Sequence, residues 1–286
     1  MLEMLINPRK AERRPWEMFF VGLFYASLSI LLVNWLFAQD AVLSRYSGVL
    51  VVTFTVMFSM PFVFYAIKYE ESKIDSRTGM IKLLKEHNRA LTTLLFLFLG
   101  FVVAFAFWYI VLSSPENFRA QIETYCLINR PSSYSECVRQ YGVKDFSTTT
   151  GFISTSKERF FLIFANNVYV LIFTLVLSLI FGAGVIFVLA WNASVIAAAI
   201  GIFSKAQLSS MPLALLRYLI HGLPEIASYF IVALAGGIIS VAVIKHETRT
   251  EKFWEVLQDS INLIIAAIII LFLAALMEVY ITTALF

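Results

Sequence analysis

Runs of about 20 apolar residues recur along the chain, separated by short connections that hold its charges. Each run is long enough to cross about 30 Å of hydrocarbon as a helix. The pattern predicts seven spans, at 17–37, 48–67, 91–112, 160–181, 184–203, 224–244 and 261–284. No Lys or Arg falls inside any of them; all 22 lie in the connections or at the edges. In lipid a lone span must satisfy its own backbone hydrogen bonds, so each is read as a helix. The short alternating segments of a membrane barrel are missing. The expected fold is therefore all-α, a polytopic transmembrane bundle.

Composition sharpens this picture. Of 286 residues, 60% are hydrophobic and 14% charged, against about 25% charged in an average soluble domain. A net charge of +3 is too small to point to nucleic acid. Its distribution instead reads as topology. Counted on alternate sides of the spans, 13 Lys and Arg fall on the side of the amino terminus and nine on the other. Six of those nine occupy the long 113–159 loop, where charge weighs little on orientation. The expected arrangement is a cell-membrane protein with a cytoplasmic amino terminus and an external carboxy terminus. Arg9, Lys10, Arg13 and Arg14 precede the first span, as in a secretory signal, but Trp16 to Ala38 is long for one and Leu36-Phe37-Ala38 lacks a small-x-small site. A retained anchor is expected.

The only two cysteines, Cys126 and Cys137, lie in the 113–159 loop. A lone pair in an external loop reads as one disulfide, the alternative being two free thiols. The loop has no His, too few ligands for zinc. Its Arg130-Pro131-Ser132-Ser133 and Ser147-Thr148-Thr149-Thr150-Gly151 are turn signals, expected in a small folded cap. The 68–90 connection is either a basic topology determinant or an amphipathic helix marked by Ile74, Ile81, Leu84 and Leu91.

Polar groups inside a membrane are costly, so they mark candidate sites. These are Asn166 with Asn167 in the fourth span, Asn192 in the fifth, His221-Gly222-Leu223-Pro224-Glu225 at the start of the sixth, and Asn262 and Glu278 in the seventh. Gly222 and Pro224 predict a helix break, with Glu225 in the first turn of a new helix. Residues 211–223 are then either an interfacial loop or a re-entrant segment. On the first reading the motif is a helix start at the outer face. On the second, His221, Glu225, Asn166 and Asn192 converge on one polar site. Ala193-x-x-x-Ala197-x-x-x-Gly201, Ala233-x-x-x-Gly237, Gly236-x-x-x-Ser240 and the Gly182-Ala183-Gly184 turn predict close packing of spans four to six. Nothing matches a metalloprotease, hydrolase-elbow, Walker or dinucleotide motif. No enzyme activity, cofactor or metal is expected.

Asn166, Gly182 with Gly184, Asn192 through Gly201, and His221-Gly222-Leu223-Pro224-Glu225 occur in an order that resembles the stage II sporulation protein M family. The resemblance divides the chain into an amino-terminal hairpin with its cytoplasmic connection, 1–84, and a five-span domain, 85–286. It implies a non-catalytic envelope protein that recruits or localises partners. Expected partners are membrane lipids, an envelope protein bound through the external loop, and a second copy of the chain. The alternative is a transporter, channel or lipid-handling protein with a hydrated path to Asn166, Asn192 and Glu225.

Overall fold

The computed structural model describes residues 8–40, 42–71, 80–112, 115–129, 133–141, 156–181, 185–204, 207–244 and 251–285. These are helical throughout apart from short turns, with no strand among them. The helices are α1 (Pro8–Arg13), α2 (Glu17–Phe37), α3 (Ser47–Glu71), α4 (Met80–Leu112), α5 (Arg119–Asn129), α6 (Tyr134–Gln140), α7 (Ser156–Phe181), α8 (Val185–Phe203), α9 (Met211–Ile244), α10 (Glu251–Leu276) and α11 (Thr283–Leu285). A π-helical turn, Met277–Thr282, continues α10. Seven segments are long and apolar enough to cross a membrane: Glu17–Phe37, Leu43–Ala66, His87–Leu112, Phe160–Ile180, Ile186–Phe203, Leu208–Ser240 and Phe253–Thr282. The expected polytopic bundle is the observed one.

The sixth span departs from expectation. Gly222 and Pro224 do not break it; α9 runs unbroken through both. The helix start lies instead at Met211-Pro212, where a proline in the first turn forfeits no hydrogen bond. An interior proline frees one carbonyl, a defect that membrane helices tolerate when neighbours surround it. The residues 211–223 are thus neither loop nor re-entrant segment. At 1.5 Å per residue α9 measures about 51 Å, and its span takes in Arg217. The seventh span also begins earlier than predicted, inside a helix that carries Glu251, Glu255 and Asp259.

Several hydroxyls within the spans are satisfied locally, although Ser59 and Ser178 are buried without a hydrogen-bond partner among the described residues. Ser29 Oγ donates to Tyr25 O at 2.7 Å, Thr55 Oγ1 to Val51 O at 2.8 Å, and Thr174 Oγ1 to Val170 O at 2.7 Å. Each bond closes on the helix's own turn, so the group needs no outside partner.

Two helix pairs form the spine of the bundle: α2 against α4, and α9 against α10. The first is set by glycine. A β-carbon on Gly22 would strike Leu97 O, and one on Gly100 would strike Phe19 O. The two backbones touch because neither residue has a side chain. Trp108 Nε1 then donates to Ser27 Oγ across the same pair at 3.0 Å. One cluster of buried side chains runs through the whole bundle, from Met18 of α2 to Leu271 of α10. The amino-terminal hairpin therefore shares its core with the rest of the chain.

The close packing predicted for spans four to six runs through α9, which packs on both α7 and α8. α7 leans on α9 and α10, with Phe160 and Phe164 edge-on to Phe272 at 5.4 and 5.7 Å between centroids. It meets α8 only slightly. Small residues do sit at two contacts: Gly236 faces Ser178 and Leu175 of α7, and Gly201 lies under the ring of Tyr109 of α4. The expected 182–184 turn, Ile74 and Ser147-Thr148-Thr149-Thr150-Gly151 lie outside the described residues. Residues 80–90 continue directly into the third span as part of α4.

Candidate functional site

The cap is built first by its cysteines. Cys126 of α5 and Cys137 of α6 are joined by the predicted disulfide, with Cα atoms 5.8 Å apart. Both are buried. The bridge ties α6 to α5, and α5 in turn reaches into the bundle. Gln121 is fully buried; its Nε2 donates to Gly48 O of α3 at 2.9 Å and to Ser194 Oγ of α8 at 3.1 Å. Gly48 has no side chain because Gln121 Oε1 occupies that space. Tyr125 of α5 hydrogen-bonds Tyr218 of α9. The cap is thus bolted to three spans. Sequence reading missed Gln121, since one glutamine in a polar loop carries no signal of burial.

The intramembrane polar groups converge on α9 and α10. Arg217, His221, Glu225 and Tyr229 recur at intervals of four on α9, which places them along one face. Glu225 Oε1 accepts from the Tyr229 hydroxyl at 2.9 Å. His221 Nδ1 lies 3.1 Å from Thr282 Oγ1 on the π-helical turn. Glu278, one turn before Thr282, stands close enough to act electrostatically on Glu225 and Tyr229. Arg217 lies over the Phe203 ring at 4.8 Å. Because α9 is continuous, Glu225 is about 21 Å along the axis from the helix start. Its stabilising partner is the tyrosine hydroxyl and not a set of free helix-start N–H groups. A π-helical turn at such a place is the deviation from α geometry that recurs at functional sites.

The two asparagines take no part in this ladder. Asn166 is exposed on α7, and its Nδ2 donates to Asn167 Oδ1 at 3.4 Å. Asn167 is the buried member of that pair. Asn192 donates through Nδ2 to Val188 O, one turn back on its own helix, at 2.7 Å. Neither bonds to His221 or Glu225, so the four expected residues do not make one network. The partners missed by sequence reading are Tyr229 and Thr282. Each lies four residues beyond a carboxylate already singled out, and that spacing was the available signal.

The family model for stage II sporulation protein M matches residues 92–283. The chain belongs to the stage II sporulation protein M family. The match enters partway along α4 and ends just past the π-helical turn, so it takes in the cap, the disulfide and the whole α9–α10 ladder. The amino-terminal helices α1 to α3 precede it. No curated protein and no solved structure matches the chain. What a stage II sporulation protein M relative does in this setting has to be argued from the site itself.

Proposed function

We propose that the chain is a non-catalytic, multi-pass scaffold of the cell envelope. Its amino terminus is cytoplasmic, its carboxy terminus external, and its disulfide-bridged cap presents a docking face to an envelope protein. The observation that carries this reading is the closure of the intramembrane polar groups on one another. Glu225 bonds Tyr229, His221 meets Thr282, and Asn192 bonds its own helix. The His221–Thr282 contact ties α9 to the π-helical turn, and the other two groups are satisfied within their own helices, so none of the three is left to seek a ligand. The anchoring of α5 through Gln121 and Tyr125 supports the same reading, because a cap held on three spans is a rigid platform. The side assignment follows the positive charges and agrees with a disulfide outside the reducing cytosol.

One observation favours a second reading, proton- or cation-coupled transport. Glu278 acts electrostatically on Glu225 inside the spans, and intramembrane carboxylates are usual elements of such relays. Glu225→Gln separates the two. The amide still accepts the Tyr229 bond, so a scaffold keeps its fold and the partner captured by cross-linking in native membranes. A transporter instead shows proton or cation flux in reconstituted vesicles that the substitution abolishes with the fold intact. Measured flux of that kind overturns the scaffold.

A further inference from the structure

Of the seven spans, the one formed by α7 is the least covered: 17% of its spanning window is buried, against 39–72% for the other six. Its covered side is turned to α9 and α10, where Gly236 meets Ser178 and Leu175 and where Phe272 meets Phe160 and Phe164. The opposite side carries a regular stripe. Leu162, Asn166, Tyr169, Phe173, Val176 and Ile180 are all exposed, and the steps between them run four, three, four, three, four. That is the 3.5-residue repeat of a helix that winds about another helix, with Asn166, Phe173 and Ile180 at a and Leu162, Tyr169 and Val176 at d.

Lipid would accept most of this stripe, but two of its residues are polar. The span Phe160–Ile180 is about 30 Å long, the thickness of the hydrocarbon. Asn166 stands about 9 Å inside its start and Tyr169 about 14 Å, close to the middle. Tyrosine ordinarily sits at the headgroup level, and a carboxamide or hydroxyl that faces acyl chains finds no hydrogen-bond partner there. The bond from Asn166 Nδ2 to Asn167 Oδ1, at 3.4 Å, is longer than the usual limit of about 3.2 Å, and the Asn166 side chain stays exposed despite it. Every other exposed residue of this span is apolar. The two polar ones both fall on the a/d stripe.

We propose that two copies of the chain associate through this stripe of α7, with Asn166 against its counterpart across a two-fold axis along the membrane normal. Copies inserted with one topology present α7 in one direction, so the paired helices run parallel and in register, and each seam residue meets its own counterpart. A carboxamide is its own complement, since the N–H of one donates to the oxygen of the other. A lone asparagine at an a position among apolar neighbours is also the feature that fixes register and oligomeric state in two-stranded coils. Tyr169, one turn further on, is covered by the same contact. The inference goes beyond the scaffold reading and does not depend on it, because this stripe lies on the side of α7 turned away from α9 and α10.

The test is single-molecule counting of the labelled full chain in liposomes, by photobleaching steps, as the protein is diluted into lipid. The parent is dimeric at high density and dissociates on dilution. Asn166→Leu moves the midpoint about tenfold toward the monomer, the scale of two interhelical bonds in a membrane. Asn166→Gln, which keeps the amide, retains most of the dimer, and Phe161→Ala, exposed but off the stripe, leaves the curve unchanged. Cross-linking locates the seam. Cys126 and Cys137 are bridged to each other, so a thiol added at one position is the only free one. Under mild oxidation in membranes Phe173→Cys and Ile180→Cys form dimers, and Ile172→Cys and Leu179→Cys, on the far edge of the exposed face, form far fewer. All of these positions are exposed, so thermal melts of the variants match the parent, which separates loss of the dimer from loss of the fold. Monomers at every density, a dilution curve that Asn166→Leu does not move, or cross-linking that favours Ile172→Cys and Leu179→Cys overturns the inference.

Discussion

Adding one methyl group at Gly100 tests whether α2 and α4 are held by direct backbone contact. The β-carbon of Gly100→Ala would lie against Phe19 O, 2.7 Å from Leu23 N and 3.0 Å from the Gly22 Cα. All three are backbone atoms of α2, so no side chain can swing aside. Ordinary carbon contacts lie at about 3.5–4.0 Å, and relieving the overlap moves the helices apart by about 1 Å. A gap of that size forfeits a quarter to a half of each dispersion contact across the seam. Met18, Val21, Tyr25 and Ala26 of α2, and Leu97, Phe98, Phe101 and Phe105 of α4, are buried in the bundle around this crossing. Overpacking of this kind costs about 1–3 kcal/mol, against a gain of about 0.5–1 kcal/mol from replacing a mid-helix glycine. The net expectation is a loss of roughly 1–2 kcal/mol. Gly222→Ala is the matched control, because its β-carbon would meet only Ile196 Cδ1, at 3.8 Å, an ordinary contact. There only the helix-propensity gain remains, so the control is as stable as the parent or more so. The assay is thermal challenge in detergent, read by the fraction surviving size-exclusion chromatography, with the parent and both variants in one series. Unfolding of such proteins is often irreversible, so the rank order is the observable. A Gly100→Ala variant equal to the parent, or a Gly222→Ala variant that loses as much, refutes the argument.

The cap supplies two more tests. Cys126→Ser removes the bridge between α5 and α6, which closes a short loop worth about 2–3 kcal/mol; protease cleavage between 130 and 155 should then quicken while the spans stay folded. On intact cells, an impermeant thiol reagent should label the parent only after reduction; labelling that requires lysis reverses the proposed orientation. Gln121→Leu deletes the two bonds that Gln121 makes to α3 and α8 and leaves Gly48 O buried, at a cost of about 1–3 kcal/mol. It should loosen the cap in hydrogen exchange at α5 and at the start of α3; unchanged exchange at both places would mean that the glutamine only fills space.

The spans themselves were legible in the sequence because lipid imposes a local rule. A segment that crosses hydrocarbon must be apolar and must satisfy its own backbone, and both demands are written in consecutive residues. The first five spans therefore fall within a few residues of their predicted limits, although the second and third each start about four to five residues earlier than predicted. The disulfide was legible for a similar reason, since two cysteines in one loop leave a single pairing. The sixth span was misread at Pro224. Whether a proline ends a helix or merely notches it depends on what surrounds the freed carbonyl, and that is a tertiary fact. His221 and Glu225 could be singled out by their cost in a membrane, and the i,i+4 spacing of Tyr229 from Glu225 was readable too, but the partner of His221 was not. Thr282 looks like an ordinary helical residue until the π-helical turn that continues α10 is set beside α9. Asn166 and Asn192 carried the same signal and proved to bond within their own helices. Which helices touch was the least legible feature. Apolar faces are interchangeable in a sequence, whereas the crossing of α2 on α4 is decided where two glycines, 78 residues apart in the chain, let two backbones meet.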